Sequence, residues 1–480
     1  MQHSTPVTPG STSPRADART PTAPERAWTE HVIWWHVYPL GFGGADTTGA
    51  DRSPQPRLLD LVPWLDHLLA LGANGLALGP VFASSTHGYD TIDWFRVDPR
   101  LGTDDDLVTL IEAAHAKGVR VMLDGVFNHV GPEFPALQEA RADSSSPAAA
   151  LFRRDEHGEL ATFEGHGGLI ALDHSSPEVV RVVSEVLVHW AERGADAWRL
   201  DAAYSVPSSF WAEVLRPLRE SHPDVWVVGE VLHGDYAAAV RDGGLDSVTQ
   251  YELWQGTWHG IQDVNLHELA WALTRHDEFL DEFAPLTFVG NHDVTRIASQ
   301  IDDERHHAHA VVLLFTLGGV PSVYYGDELG LRAVKEERVG GDDAIRPAFP
   351  RWSGDDGVGT DAGAGAGPDA GADAVSLVAG ADPAVLALHQ EMVGVRRRHP
   401  WLHGARTRAV SVTNETLVLE VRGAGADEVL VVALNLGDEP LRVADPAPAA
   451  DGWVAGRDAG LDGDVLVVGA HGWAVVAPRG

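Results

Sequence analysis

Four short apolar runs, each ending in residues capable of chemistry, set the tightest limit on how this chain can fold. Val119–Leu123 leads into Asp124, Gly125, Val126, Phe127, Asn128 and His129. Residues 195–201 enter apolar and end Trp198, Arg199, Leu200, Asp201. Val225–Val228 leads into Gly229 and Glu230, and Leu286–Val289 into Gly290, Asn291, His292 and Asp293. Apolar runs of this length read as buried strands, and stretches of helical period lie between them. Strands that end in functional residues and alternate with helices describe the C-terminal face of a (β/α)8 TIM barrel. On a strand, Arg199 and Asp201 share a face. The cation is therefore expected to lower the pKa of Asp201 and keep it ionised at neutral pH. A positioned carboxylate of this kind suits a covalent sugar-transfer mechanism as its nucleophile. Alone, the pair reads equally as a surface salt bridge; its three companion segments favour chemistry.

Eight strands can be placed in order: Val32–Tyr38, Gly75–Leu78, Val119–Leu123, 195–201, Val225–Val228, Asp246–Tyr251, Leu286–Val289 and Pro321–Tyr325. Helices are expected over Arg57–Leu71, Thr103–His115, Pro177–Arg193, Ser208–Ser221, Leu266–Phe279, His307–Leu317 and Pro383–Arg398. Thr103 is the expected N-cap of the second, with Asp104–Asp106 in its first turn. Residues 28–129 and 176–398 form the expected catalytic barrel. Residues 130–175 break the rhythm and read as a small inserted lobe after strand three. Residues 399–480 switch to short β-type runs without a helical period, the pattern of a C-terminal all-β sandwich. The Ser-, Thr- and Pro-rich segment 1–27 reads as a disordered tail, and the Gly/Ala/Asp tract 354–373 as a flexible loop.

The chain carries 35 basic against 70 acidic residues, a formal charge of −35. That balance argues against nucleic acid and membranes as partners, and for a neutral ligand. There is no cysteine, which removes disulfides, thiol catalysis and thiolate metal sites. No apolar run is long enough to span a bilayer, and residues 1–27 lack the features of a secretory signal, so a cytoplasmic location is expected. Most of the 16 tryptophans should be core; some could stack on sugar rings.

With the motifs in this order, the chain resembles the α-amylase superfamily of glycoside hydrolases, in its smaller cytoplasmic branch near cyclomaltodextrinases and neopullulanases. Supporting blocks are Gly72–Phe82, Phe163–His174 and Gly318–Gly330. The resemblance implies Asp201 as nucleophile, Glu230 as general acid and base, and Asp293 as stabiliser of the transition state. It implies that Arg199 holds Asp201 and that His129 and His292 bond sugar hydroxyls. Tyr89, with His87 beside it, would be the stacking platform, and Asp124 would support the constellation. Asp342 and Arg346 would bind sugar one unit from the cut. Glu230 has no cation in its own motif, so two nearby aspartates should raise its pKa. Trp254 and Trp258 could line the cleft or merely pack.

Many relatives carry Lys-His shortly after the nucleophile, where this chain has Ala203 and Tyr204. No cofactor and no essential metal are therefore expected, although the oxygen-rich loop around Asp46 and Asp51 could hold Ca²⁺. Relatives with small inserts often pair so that a neighbour closes the cleft, which makes a homodimer the expected assembly. The implied activity is retaining hydrolysis of short or cyclic maltooligosaccharides, cyclic maltosyl-maltose among them. A transglycosylase or isomerase sharing the first half-reaction is the alternative. A non-catalytic glucan-binding protein is disfavoured because all three carboxylates are present.

Overall fold

A computed structural model describes residues 27–338, 340–352, 370–445 and 448–479. Its central sheet has eight strands: β1 (Trp34–Val37), β2 (Gly75–Leu78), β3 (Arg120–Gly125), β4 (Ala197–Leu200), β5 (Trp226–Gly229), β6 (Ser247–Val248), β7 (Leu286–Phe288) and β8 (Val320–Tyr324). Every pairing is parallel, in the order β6-β5-β4-β3-β2-β1-β8-β7. A parallel bridge between Thr249 and Leu286 joins the two ends and closes the barrel.

Side-chain alternation explains why these strands read as continuous apolar runs. One set faces the surrounding helices: Trp35, Leu76, Val121, Leu123, Trp198, Leu200 and Val227 belong to the large outer core. The other set points into the barrel, where Trp34, Ala77, Met122, Ala197, Trp226, Val228, Leu286 and Val320 form a separate cluster. Trp34 and Trp226 stack across the interior with ring centroids 6.0 Å apart. Both faces are thus buried, as parallel barrels require. Two residues further along the same inward face, the apolar layer gives way to His36 after Trp34, Asp124 after Met122, and Arg199 after Ala197. The lower half of the barrel is a plug and the upper half is polar.

Local signals account for most helix limits. Thr103 accepts a hydrogen bond from the Asp106 backbone N–H, and the Asp106 carboxylate accepts one from the Thr103 N–H, so a complete capping box opens Asp104–Ala116. The helix expected over Arg57–Leu71 is divided into a 3-10 turn, Arg57–Leu61, and a helix, Leu65–Leu71. Pro63 lies at the break; it has no N–H to donate and its ring crowds the preceding turn. Strand six is also shorter than expected: it spans Ser247–Val248, with Thr249 adding a single bridge, and Tyr251 opens the helix Tyr251–Gln262. That helix and Tyr236–Gly243 were not expected from the sequence. Residues 354–369 of the expected flexible loop, and residues 1–26 of the expected disordered tail, lie outside the described residues. The last part of the tract, however, starts the helix Ala370–Leu377.

After β3 the chain builds a three-stranded antiparallel sheet from His129–Val130, Thr162–Phe163 and His166–Ala171. The C-terminal domain is a connected six-stranded antiparallel sheet that bends into two layers. Val418, Val431 and Ala433 pack against Val443, Leu466 and Val468 between the layers. Leu417, Leu419, Val432 and Trp473 join the barrel's outer core on the other side. Among the described residues, no helix is long and apolar enough to cross a membrane.

Gly290, just past β7, tests how tightly the site's approach is packed. A Cβ there would collide with Oδ2 of Asp327, a buried residue whose Oδ1 is held by Arg296 at 2.7 Å. Gly290→Ala is expected to lower stability by about 1–3 kcal/mol, read from the denaturant midpoint. An unchanged midpoint would show that this contact relaxes freely.

Candidate active site

The barrel register brings the candidate carboxylates together. Gly229 pairs with Leu200, so Glu230 and Asp201 leave neighbouring strands side by side, at a strand spacing of about 4.8 Å. Asp124 pairs with Arg199 on the other flank. Asp293 follows β7, across the mouth. All four acids, Asp124, Asp201, Glu230 and Asp293, surround a cleft or the small cavity beneath it.

Arg199 is the hub. Its Nη1 donates to both oxygens of Asp124 at 2.8 Å and to Asp201 Oδ1 at 2.9 Å, and its Nη2 lies 2.7 Å from Glu230 Oε1. The Glu230 Oε2 accepts the backbone N–H of Ala202 at 3.0 Å. Tyr251 donates its hydroxyl hydrogen towards Glu230 Oε1 at 3.3 Å, and Asn291 Nδ2 donates to the Tyr251 oxygen at 2.9 Å. Two expectations are corrected here. Glu230 does have a cation, because the planar guanidinium reaches two neighbouring strands at once. Asp201 is not held below the usual range either. Burial raises its pKa and outweighs Arg199, leaving it at about 6.

The other acids divide in the same way. Burial pushes Asp124 up to about 7 and raises Glu230, with Asp201 and Asp293 adding repulsion and Arg199 opposing. Burial also works against the charge of Asp293, but His292, Arg346 and Arg199 outweigh it and hold the group well below the normal carboxylate range. Its oxygens are 2.9 Å from His292 Nε2 and 2.8 Å from Arg346 Nη2. One acid is thus firmly ionised, and two facing acids have pKa values raised by burial.

The cleft has a volume of about 530 Å³ and is lined by Tyr89, His129, Phe163, Tyr204 and Trp254 besides the three carboxylates. Tyr89 lies nearly parallel to His292, with centroids 5.4 Å apart, and its hydroxyl bonds both His292 and Asp124. Its ring is a platform braced from below. Among the described residues, the buried His292 Nδ1 has no hydrogen-bond partner. His129 also lines the cleft, but its ring nitrogens are engaged by Asn128 and by the Tyr89 carbonyl. It therefore braces Tyr89 and presents a ring stacked on Phe163, not a free donor for sugar. His87 stands behind the platform, its Nδ1 accepting the Tyr89 N–H at 3.3 Å. Asp342 and Arg346 meet at 3.2 Å, with Lys335 equally close to Asp342; Lys335 also donates to the Asp293 carbonyl at 2.9 Å. Trp254 reaches the cleft, whereas Trp258 packs against the outer core.

Tyr251 and Glu164 take part without having been singled out by sequence, and Asn291 of the motif after Val289 supports Tyr251. Tyr251 opens the helix three residues past β6, near the positional signal that marked the acids. Glu164, at a turn with φ of 49°, accepts the Tyr204 hydroxyl at 2.8 Å and so links the inserted lobe to the segment after Asp201. Near the β1 loop, Asp46 accepts hydrogen bonds from Thr48 and Asp51, and Asp51 accepts from Ser53.

Comparison with known proteins agrees with this arrangement. The family pattern described as "Alpha amylase, catalytic domain" matches residues 37–166 and 161–360. A cyclomaltodextrinase from a Bacillus species is 30% identical over 341 residues, 64% of this chain and 60% of that protein. A maltogenic alpha-amylase from Bacillus acidopullulyticus is 32% identical over 340 residues, covering 64% and 57%. The match thus spans about 60% of the length of these relatives. The ligand-free structure of cyclic alpha-maltosyl-(1→6)-maltose hydrolase from Arthrobacter globiformis superposes with a TM-score of 0.74. It is 25% identical and covers 94% of this chain and 98% of that one. Through its catalytic domain, this chain belongs to the alpha-amylase family.

Proposed function

We propose that the chain is a retaining α-glucan hydrolase acting on short or cyclic maltooligosaccharides. The single guanidinium that touches both Asp201 and Glu230, with Asp293 facing them across the cleft, carries this reading. In it, an Asp201 oxygen attacks the anomeric carbon while the bond to the leaving oxygen breaks. Glu230 gives its proton to that oxygen. A water then yields a proton to Glu230 and its hydroxyl to the anomeric carbon, which frees Asp201 with the original configuration restored. Strand neighbours suit the short carboxyl separation of about 5–5.5 Å that this route uses. Asp293, the firmly ionised acid, stabilises positive charge developing on the ring.

The names of the relatives support the substrate class. So does the cleft, whose volume suits a few sugar rings and whose lining includes the hydrogen-bonded pair Tyr204 and Glu164. Incubation with linear, branched and cyclic maltooligosaccharides, with anomer-resolved detection, is the direct test. The α-anomer should appear first. First release of the β-anomer would overturn the mechanism, and dominance of transfer products at low substrate would overturn hydrolysis.

The acid limb of the pH profile follows from Asp201. With its pKa near 6, kcat/KM should fall about tenfold per pH unit below that value as the nucleophile takes up a proton. A profile flat down to about pH 4.5 would contradict the assignment of Asp201.

A further inference from the structure

Away from the cleft, three metal-capable side chains from two domains converge. Asp303 and His306 belong to the short turn that leads into the barrel helix His307–Thr316, and His471 lies in the long C-terminal strand Val465–Pro478. Their donor atoms all lie within 4.8 Å of one another. His306 Nε2 is 2.9 Å from His471 Nδ1.

The surrounding bonds set up these atoms as ligands. His471 Nε2 is 3.0 Å from Asp438 Oδ1. A carboxylate only accepts, so Nε2 carries the hydrogen and Nδ1 turns a lone pair towards His306. An outer carboxylate fixing the tautomer in this way is the usual support of a metal-binding imidazole. Arg305 plays the same part for Asp303. Its Nε and Nη2 donate to the two carboxylate oxygens at 2.9 and 2.6 Å, which orients the group and leaves lone pairs free. His471 holds a φ of 54°, a left-handed conformation that a side-chain-bearing residue adopts at a cost.

We propose that Asp303, His306 and His471 form a binding site for a divalent transition-metal ion of the zinc type, joining the C-terminal domain to the barrel. Two imidazoles and one carboxylate match the ligand preference of zinc, cobalt or nickel; magnesium and calcium call for oxygen ligands. Three protein ligands leave a fourth position for water. On binding, the ion replaces the proton that His306 Nε2 shares with His471 Nδ1, and that proton is released to solvent. The ion would bridge elements 165 residues apart in sequence, so binding should also raise the melting temperature.

The test is titration of the full chain with Co²⁺, read by its visible absorption, and with Zn²⁺, read by calorimetry. One equivalent should bind with a Kd in the micromolar range or below, with visible bands typical of nitrogen and oxygen ligation and a higher melting temperature. His471→Asn retains a residue tolerant of the left-handed turn and should weaken binding about tenfold or more. Asp303→Asn provides a second variant outside the domain contact. Circular dichroism without metal establishes that each variant is folded. A Kd weaker than about 1 mM, or undiminished binding in folded His471→Asn and Asp303→Asn, would overturn the site.

Discussion

Asp201→Asn is expected to lower kcat/KM on a maltooligosaccharide by about 10⁴-fold or more, because in the proposed mechanism the Asp201 carboxylate forms the bond to the anomeric carbon. The loss should come without unfolding. Arg199 keeps Asp124 and Glu230 as partners, and the ionised Asp201 is itself a burden. Burial raises its pKa above the unfolded value, so its contribution to stability is full below the unfolded pKa and is lost as pH rises through about 6. At pH 7 to 8 the isosteric amide should therefore melt no lower than the parent. Activity within about tenfold of the parent would remove Asp201 from the nucleophile's role. A matching collapse in melting temperature would instead show that the side chain is structural.

Arg199→Met is expected to have the largest effect on stability. It leaves the buried carboxylates of Asp124, Asp201 and Glu230 without their shared cation. Stranding buried charge of this kind costs about 3–5 kcal/mol. The pH dependence distinguishes this cause from lost packing. Arg199 lowers the pKa of each acid, so its removal raises values that already exceed the unfolded ones. The deficit should be greatest above pH 7 and shrink towards pH 5, as the acids take up protons in the folded state. Denaturant midpoints for both proteins between pH 5 and pH 8 provide the measurement. A deficit independent of pH would mean that the guanidinium serves mainly by filling space.

The path from sequence to site was open where chemistry lies on a strand's own alternation. Asp124, Arg199, Asp201 and Glu230 each extend the inward face of a buried strand, so the pattern that marked the strands also marked the acids. What the sequence did not reveal depends on lateral contact. The reach of Arg199 to Glu230 exists because β4 and β5 pair with Gly229 opposite Leu200, and no property of either motif states that. The raised pKa of Asp201 has the same origin: the nearby cation was visible, but the burial that outweighs it comes from the assembled barrel. His129 was recognised as a motif residue, but its engagement with Asn128 and the Tyr89 carbonyl depends on where the loop after β2 comes to rest. β6 was hardest to delimit, because two paired residues carry too little periodicity to separate from the helix that begins at Tyr251.

That brevity has a mechanical result. Between β6 and β7 the ring of strands is held by the Thr249–Leu286 bridge and the Gln250 N–H, which donates to the Leu286 carbonyl at 2.9 Å. A short ladder opens more readily than its longer neighbours, so deuterium should enter the Gln250 amide before those of β4 or β5. The staves on either side of this seam lead to Tyr251, which braces Glu230, and to Asp293. Opening of the seam would therefore shift the side of the mouth that carries Tyr251 and Asp293, and with it the gap across which those acids face each other.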